Sequence, residues 1–170
     1  FEDSAGNSTT LTLPDFIIDT TPPNISIESH IVPRTKNITP SFNFYTDKIG
    51  ILTTSISTGF IYNNSVVYSI DITSIGSKTI TFSTLSATTY SNETITLTDY
   101  AGNTTTETLN TFVIDTTNPT VSIITPIITP TNNTTPSFTF YTNETGILTT
   151  SISSGCLYND SVGASINISS

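Results

Sequence analysis

Asp19, Asp47, Asp99, Asn103 and Asp115 are the residues of this chain best suited to chemistry. Carboxylate and amide oxygens are the hard ligands that Ca2+ gathers in sets of six to eight. They lie in turn-like stretches: Asp99-Tyr100-Ala101-Gly102-Asn103, the segment around Asp47, and Asp19-Thr20-Thr21-Pro22-Pro23. In a seven-strand sandwich the last hairpin, the loop after the second strand and the entry of the chain share one pole. Asp99 with Asn103, Asp47 and Asp19 are therefore expected to converge there and to hold Ca2+ at a junction. Asp115, with Asn143 and Glu144, would begin the next such junction. A plainer reading stays open, because Asp-x-x-Gly-Asn is good turn chemistry and Asp-Thr-Thr-Pro ends a strand and stiffens a linker.

A second candidate chemistry is glycosylation. Asn-x-Ser/Thr occurs at Asn7, Asn24, Asn37, Asn63, Asn92, Asn103, Asn132, Asn133, Asn143, Asn159 and Asn167. With Ser and Thr at about a third of positions, roughly five such sites would arise by chance. The excess points to N-glycans on an extracellular surface, although Asn and Thr also meet in turns for purely structural reasons. Asn103 serves both hypotheses, and they exclude each other in part. Cys156 is the single cysteine and His30 the single histidine. With no His in its own repeat to activate it, Cys156 reads as an apolar thiol, and neither a zinc site nor a His-dependent triad can be assembled. No insertion forms a cleft around a carboxylate pair, so the chain reads as no enzyme.

Thr, Ile, Val, Phe and Tyr dominate, which favours strands. A net charge of −9 with only four Lys and Arg argues against nucleic acid, whose phosphates need clustered cations. No apolar run is long enough to span a bilayer, so any anchor or export signal is expected outside this segment.

The positioning elements follow from a repeat. Residues 1–74 lie over 97–170 without a gap, at an offset of 96, with more than half of the positions identical. Asp3-Ser4-Ala5-Gly6-Asn7 recurs as Asp99-Tyr100-Ala101-Gly102-Asn103, and Phe16-Ile17-Ile18-Asp19-Thr20-Thr21-Pro22-Pro23 as Phe112-Val113-Ile114-Asp115-Thr116-Thr117-Asn118-Pro119. A period of this length is the size of one sandwich domain. The division expected is the last strand of one repeat at 1–19, a complete repeat at 20–115 and the first half of another at 116–170. Within the complete repeat, alternation predicts inward faces at Ile25 and Ile27; Phe42 and Phe44; Leu52, Thr54 and Ile56; Tyr68, Ile70 and Ile72; Ile80 and Phe82; Ile95 and Leu97. The phase breaks between Leu109 and Phe112, which predicts a bulge near Asn110. The fold class expected is all-β: tandem seven-stranded antiparallel sandwiches with a 96-residue repeat.

The paired signatures Asp99-x-Ala101-Gly102-Asn103 and Phe112-x-Ile114-Asp115-Thr116-Thr117-x-Pro119 resemble the domain ends of bacterial and archaeal Ig-like repeats in giant surface adhesins. Surface-layer and filament proteins carry similar repeats. The resemblance implies a rod of domains at the cell surface, often with calcium at the junctions, serving as a stalk that spaces a tip from the cell. The partners implied are neighbouring repeats or copies of the chain, with glycans or another cell's surface as further possibilities. An alternative expectation is a self-assembling filament, sheath or surface-layer subunit, built head to tail with strand complementation between copies.

Overall fold

The computed structural model describes residues 1–152, 154–158 and 161–169. The fold is all-β, and its sheets are almost entirely antiparallel. It forms two compact units, Phe1–Thr116 and Thr117–Ser170. The strands of the first unit are β1 (Ile25–Ser29), β2 (Arg34–Thr35), β3 (Ser41–Thr46), β4 (Gly50–Thr54), β5 (Phe60–Tyr62), β6 (Ser65–Val67), β7 (Ser69–Ile72), β8 (Gly76–Phe82), β9 (Thr89–Tyr90), β10 (Thr94–Asp99), β11 (Thr104–Thr108) and β12 (Phe112–Ile114). They build a five-stranded sheet in the order β1-β3-β8-β5-β6 and a four-stranded sheet in the order β11-β10-β4-β7. A small third sheet, β2-β12-β9, joins β12 to β2 by the parallel pairing Val113 with Arg34 and Ile114 with Thr35.

The two large sheets face each other across one apolar core, a β-sandwich-like arrangement. Ile25, Phe42, Phe44, Phe60, Ile80 and Phe82 enter it from the first sheet, and Leu52, Ile70, Ile72, Ile95 and Leu97 from the second. Period-two alternation explains this, since successive side chains of a strand point to opposite faces and these strands place their apolar residues on one. Phe82 is the centre of the packing. Its ring lies 5.6 Å from that of Phe42 and 5.5 Å from that of Phe60, nearly parallel to both. Tyr90 and Phe112 stack at 5.0 Å beneath the third sheet.

Two expectations need correction. Tyr68 does not face inward: it is 71% exposed, because the chain bends between β6 and β7 and the alternation restarts at Ser69. Nor is the phase break near Asn110 a bulge within one strand. Leu109 and Phe112 are both buried, three residues apart, because the chain leaves the four-stranded sheet after β11 and joins β9 and β2 as β12. Asn110 holds that crossing by donating its amide to the Ile31 carbonyl at 2.9 Å.

The first eighteen residues add no strand to this core. Phe16, Ile17 and Ile18 are largely exposed. One turn is nonetheless formed there. Asp3 Oδ1 accepts the backbone N–H of Ala5 at 2.9 Å and of Asn7 at 2.8 Å, and Gly6 takes the positive φ that closes it.

The second unit holds β13 (Val121–Thr125), β14 (Thr139–Thr142), β15 (Gly146–Thr149), β16 (Cys156–Tyr158), β17 (Ser161–Gly163) and β18 (Ser165–Ile168). They pair as β13 with β14, β15 with β18 and β16 with β17. Val121 faces Thr142 as Ile25 faces Thr46, Gly146 faces Ile168 as Gly50 faces Ile72, and Cys156 faces Gly163 as Phe60 faces Val67. The irregularity between Ile27 and Ser29 in β1 also recurs, between Ile123 and Thr125 in β13.

Because Phe82 is fully buried between two rings, Phe82→Ala should destabilise the first unit by about 3–5 kcal/mol, whereas truncating the exposed Tyr68 should cost under about 0.5 kcal/mol. Urea titration followed by circular dichroism measures both, and equal effects would contradict the packing described.

Candidate functional site

The pole of the first unit at which the chain enters is built by three neighbouring segments. The turn after β3 is closed by Thr46, whose buried hydroxyl donates to the Lys48 carbonyl at 2.8 Å and accepts from the Lys48 N–H at 3.2 Å. Lys48 therefore leaves that turn in a fixed direction. Gly50 follows at the start of β4, where a Cβ would stand 2.2 Å from the Thr98 carbonyl oxygen. Only glycine lets β4 and β10 approach so closely here. The third segment is the β10–β11 turn, in which Asp99 Oδ1 accepts the N–H groups of Ala101 and Asn103 at 3.0 and 2.9 Å. Gly102 supplies the positive φ.

Lys48 occupies the middle of this pole. Its ammonium donates to Asp19 Oδ2 at 2.8 Å, to Asp99 Oδ2 at 3.0 Å and to the Thr21 carbonyl. Asn103 Nδ2 donates to the Asp19 carbonyl at 3.0 Å and to Asp99 Oδ2 at 3.1 Å, while the Thr105 hydroxyl donates to the Pro23 carbonyl. The incoming segment Asp19–Pro23 is thus tied to the sandwich by a lysine, an asparagine and a threonine. We call this arrangement the clasp.

The electrostatics match the geometry. Burial works against ionisation of Asp99, but the Asn103 amide and the Lys48 ammonium outweigh it and hold the carboxyl at about 2, below the usual 3.8. The hydrogen bond from Lys48 lowers Asp19, and the hydrogen bond to Asp19 raises Lys48. Beside the clasp, Tyr100 donates its hydroxyl to Asp71, and that bond raises the phenol.

Asp19, Asp99 and Asn103 converge, as their spacing suggests, but the cation between them is Lys48. Asp47 lies at the same pole and ties down a different part of the chain. Its Oδ1 accepts the Asn24 N–H at 2.7 Å, and the Asp47 N–H donates to the Asn24 carbonyl at 3.2 Å. In the second unit Asn143 makes the same pair of bonds with Thr120, at 2.7 and 3.4 Å. A neutral amide does this work as well as a carboxylate, so the charge of Asp47 is not required for it. Asp115 belongs to the opposite end of the first unit, where it meets Arg34 in an ion pair. Among the described residues, no three His, Cys, Asp or Glu side chains are grouped as a metal site would require. The clasp does not fit Ca2+ as it stands, since a dication between these carboxylates would meet the ammonium at contact distance.

Lys48 was missed by reasoning about acids alone. The signal was present: it is one of four cationic Lys and Arg residues in the chain and directly follows Asp47. A lone ammonium among three acidic segments is their natural counter-ion.

The sequon asparagines divide clearly. Asn7, Asn24, Asn37, Asn63, Asn92, Asn132, Asn133, Asn143 and Asn167 are exposed. Asn63 and Asn92 sit at positive φ, in turns. Asn103 is half-buried, and the amide nitrogen that a glycan would modify is held by Asp19 and Asp99. Asn159 lies outside the described residues.

No family model, characterised protein or solved structure matches this chain.

Asp99 contributes its stabilisation in full above its unfolded value of about 4, and this is lost as pH falls through about 2. Lys48, held above its usual 10.5, contributes below that value and loses its share as pH rises through the higher folded one. The melting temperature of the first unit should therefore fall steeply between about pH 4 and 2, and Lys48→Met should lower it at pH 7 and flatten the acid limb. An acid limb of unchanged slope in Lys48→Met would mean that the clasp carries no linkage.

Proposed function

We propose that this chain is a run of Ig-like sandwich repeats of 96 residues, joined end to end as the spacer of an extracellular, cell-surface protein. The observation that carries the reading is the clasp. Asp19–Pro23 enters at the pole of Asp47, Lys48 and Asp99, and Asp115 leaves at the other end, beside Arg34. A module with entry and exit at opposite poles, and with its entry held by side chains, transmits direction from one repeat to the next. The recurring registers of β13–β18 support the view that the unit is repeated. In this reading β1, β3, β4, β7, β8, β10 and β11 are the seven principal strands, and the shorter ones are sheet-switching or hairpin extensions of the same sandwich. The chain then acts by length and stiffness and performs no catalysis.

Glycans belong to the same proposal. The exposed sequons at turns, Asn63 and Asn92 above all, offer their amides to solvent. In this reading they are glycosylated, while Asn103 stays bare because a glycan there would break the clasp. Site-resolved mass spectrometry of the native protein should find glycan at Asn63 or Asn92 and none at Asn103, and a bare protein would remove this part of the reading.

Small-angle scattering on chains of two, three and four complete repeats tests the spacer itself. The maximum dimension should rise by about 35–45 Å for each added repeat, the length of a sandwich strand plus a linker at about 3.3 Å per residue. A dimension that stays level, or ordered polymers in negative-stain images of the same samples, would replace the spacer with a compact or self-assembling protein.

A further inference from the structure

Tension along a spacer enters a module at one pole and leaves it at the other, so the bonds that matter most are those linking the start of the module to its end. In the first unit the clasp fixes the point of entry at Asp19–Pro23, and Asp115 marks the exit. Among the described residues, β2 with β12 is the one ladder that joins the first two strands of this unit to its last two. It is also the one parallel ladder, every other pairing of strands being antiparallel.

The direction of that pairing decides how it is loaded. Tension on Asp19 reaches β2 from its N-terminal side, and tension on Asp115 reaches β12 from its C-terminal side. In an antiparallel pair those two points would lie side by side, and the strands would be peeled apart one hydrogen bond at a time. In a parallel pair they lie at opposite ends, so the strands are drawn past each other with every bond loaded together. The Val113 N–H donates to the Pro33 carbonyl at 2.8 Å and the Asp115 N–H to the Thr35 carbonyl at 2.9 Å, while the Arg34–Asp115 ion pair spans the same two segments. The Asn110 amide adds its bond to the Ile31 carbonyl at 2.9 Å. Sliding would also drag apolar side chains through the core: Ile31, just before β2, and Phe112 and Ile114 of β12 are each 2% exposed or less, and Phe112 stacks on Tyr90. A close-packed interior resists such a slide, because the space left behind holds no atoms to restore the lost contacts.

We propose that the first unit is a load-bearing module, and that the parallel seam of β2 and β12, pinned by Arg34, Asn110, Phe112 and Ile114, is the lock that must fail before the unit unfolds under tension between Asp19 and Asp115. The purpose of the lock rests on the spacer reading. The clasp sets the direction of the incoming chain and the seam carries the load, two tasks placed at opposite poles of one sandwich.

Single-molecule force measurement on the whole chain tests this. Pulled through its two ends, the chain loads the seam in shear, and failure of the first unit releases the length of residues 20–115, about 300 Å of extended chain. In a second geometry, thiol handles are placed by Val32→Cys and Thr111→Cys in a Cys156→Ser background. Both positions are exposed, and each lies two residues before the paired Arg34 and Val113, so force across them peels the same seam from one end. At equal loading rate the end-to-end force should exceed the peeling force by ~2-fold or more, since forced unfolding reports the barrier along the direction pulled. Val113→Pro removes a donor of the seam and should bring the end-to-end force down toward the peeling value. Should that variant fail to fold by circular dichroism, the directional comparison decides alone. Equal forces in the two directions, or an end-to-end force unchanged in folded Val113→Pro, would overturn the proposal. A chain found compact or self-assembling by scattering would remove the spacer reading and leave the directional difference standing, so the two fail separately.

Discussion

The core of the first unit depends on β8 being seated between β3 and β5, with Phe82 held between the rings of Phe42 and Phe60. β3 brings β1 with it, and β5 brings β6, so without β8 the five-stranded sheet is two separate ribbons. Two-stranded ribbons are marginal in water because each exposes an apolar face and two unpaired edges. Seating β8 joins them and gives the opposing sheet a continuous surface to pack on. Leu52, Ile70, Ile95 and Leu97 are buried as a consequence. Among the described residues of the second unit the corresponding strands form separate pairs, and Val121 is more than half exposed where Ile25 is buried.

The clasp solves a different problem, that of fixing the direction in which a chain enters a sandwich. A metal ion would do this by gathering oxygen ligands, while depending on the ion's concentration. A lysine does it with a charge that is always present and covalently attached. Its side chain is only partly exposed, and Asp99 is nearly enclosed, so the pair is less screened than an ordinary surface bridge. Asn103 adds geometry to charge, because its amide bonds both the incoming backbone and the carboxylate that Lys48 contacts. In the second unit the residue in the place of Lys48 is Glu144, within a turn closed by Thr142 just as Thr46 closes the first. The turn is thus independent of the charge it presents.

Much of this was legible in the residues alone. Alternation marked the buried faces of β3, β4, β7, β8 and β10 correctly, because a strand with one buried face imposes its period on the sequence directly. The turn at Asp99 was legible for the same local reason: Asp, Gly and Asn at that spacing close a loop through their own backbone, as Asp3, Gly6 and Asn7 do with no sandwich around them. Convergence of Asp19, Asp99 and Asn103 followed from the order of strands in a sandwich. What local pattern could not supply was the partner at their centre, the orientation of Tyr68, or the change of sheet at Asn110.

By itself, then, the sequence determined the all-β class, the alternating core and the turns, since each depends on residues within a few positions of one another, while the order of strands indicated which segments meet at the entry pole. Only the tertiary structure decided that Lys48 stands between Asp19 and Asp99, that Asp47 caps Asn24, that Asp115 pairs with Arg34 and that β12 leaves its sheet to join β2 and β9. These are choices among partners distant in the chain, and they are made by which side chain reaches an unsatisfied charge or carbonyl once the sheets have packed.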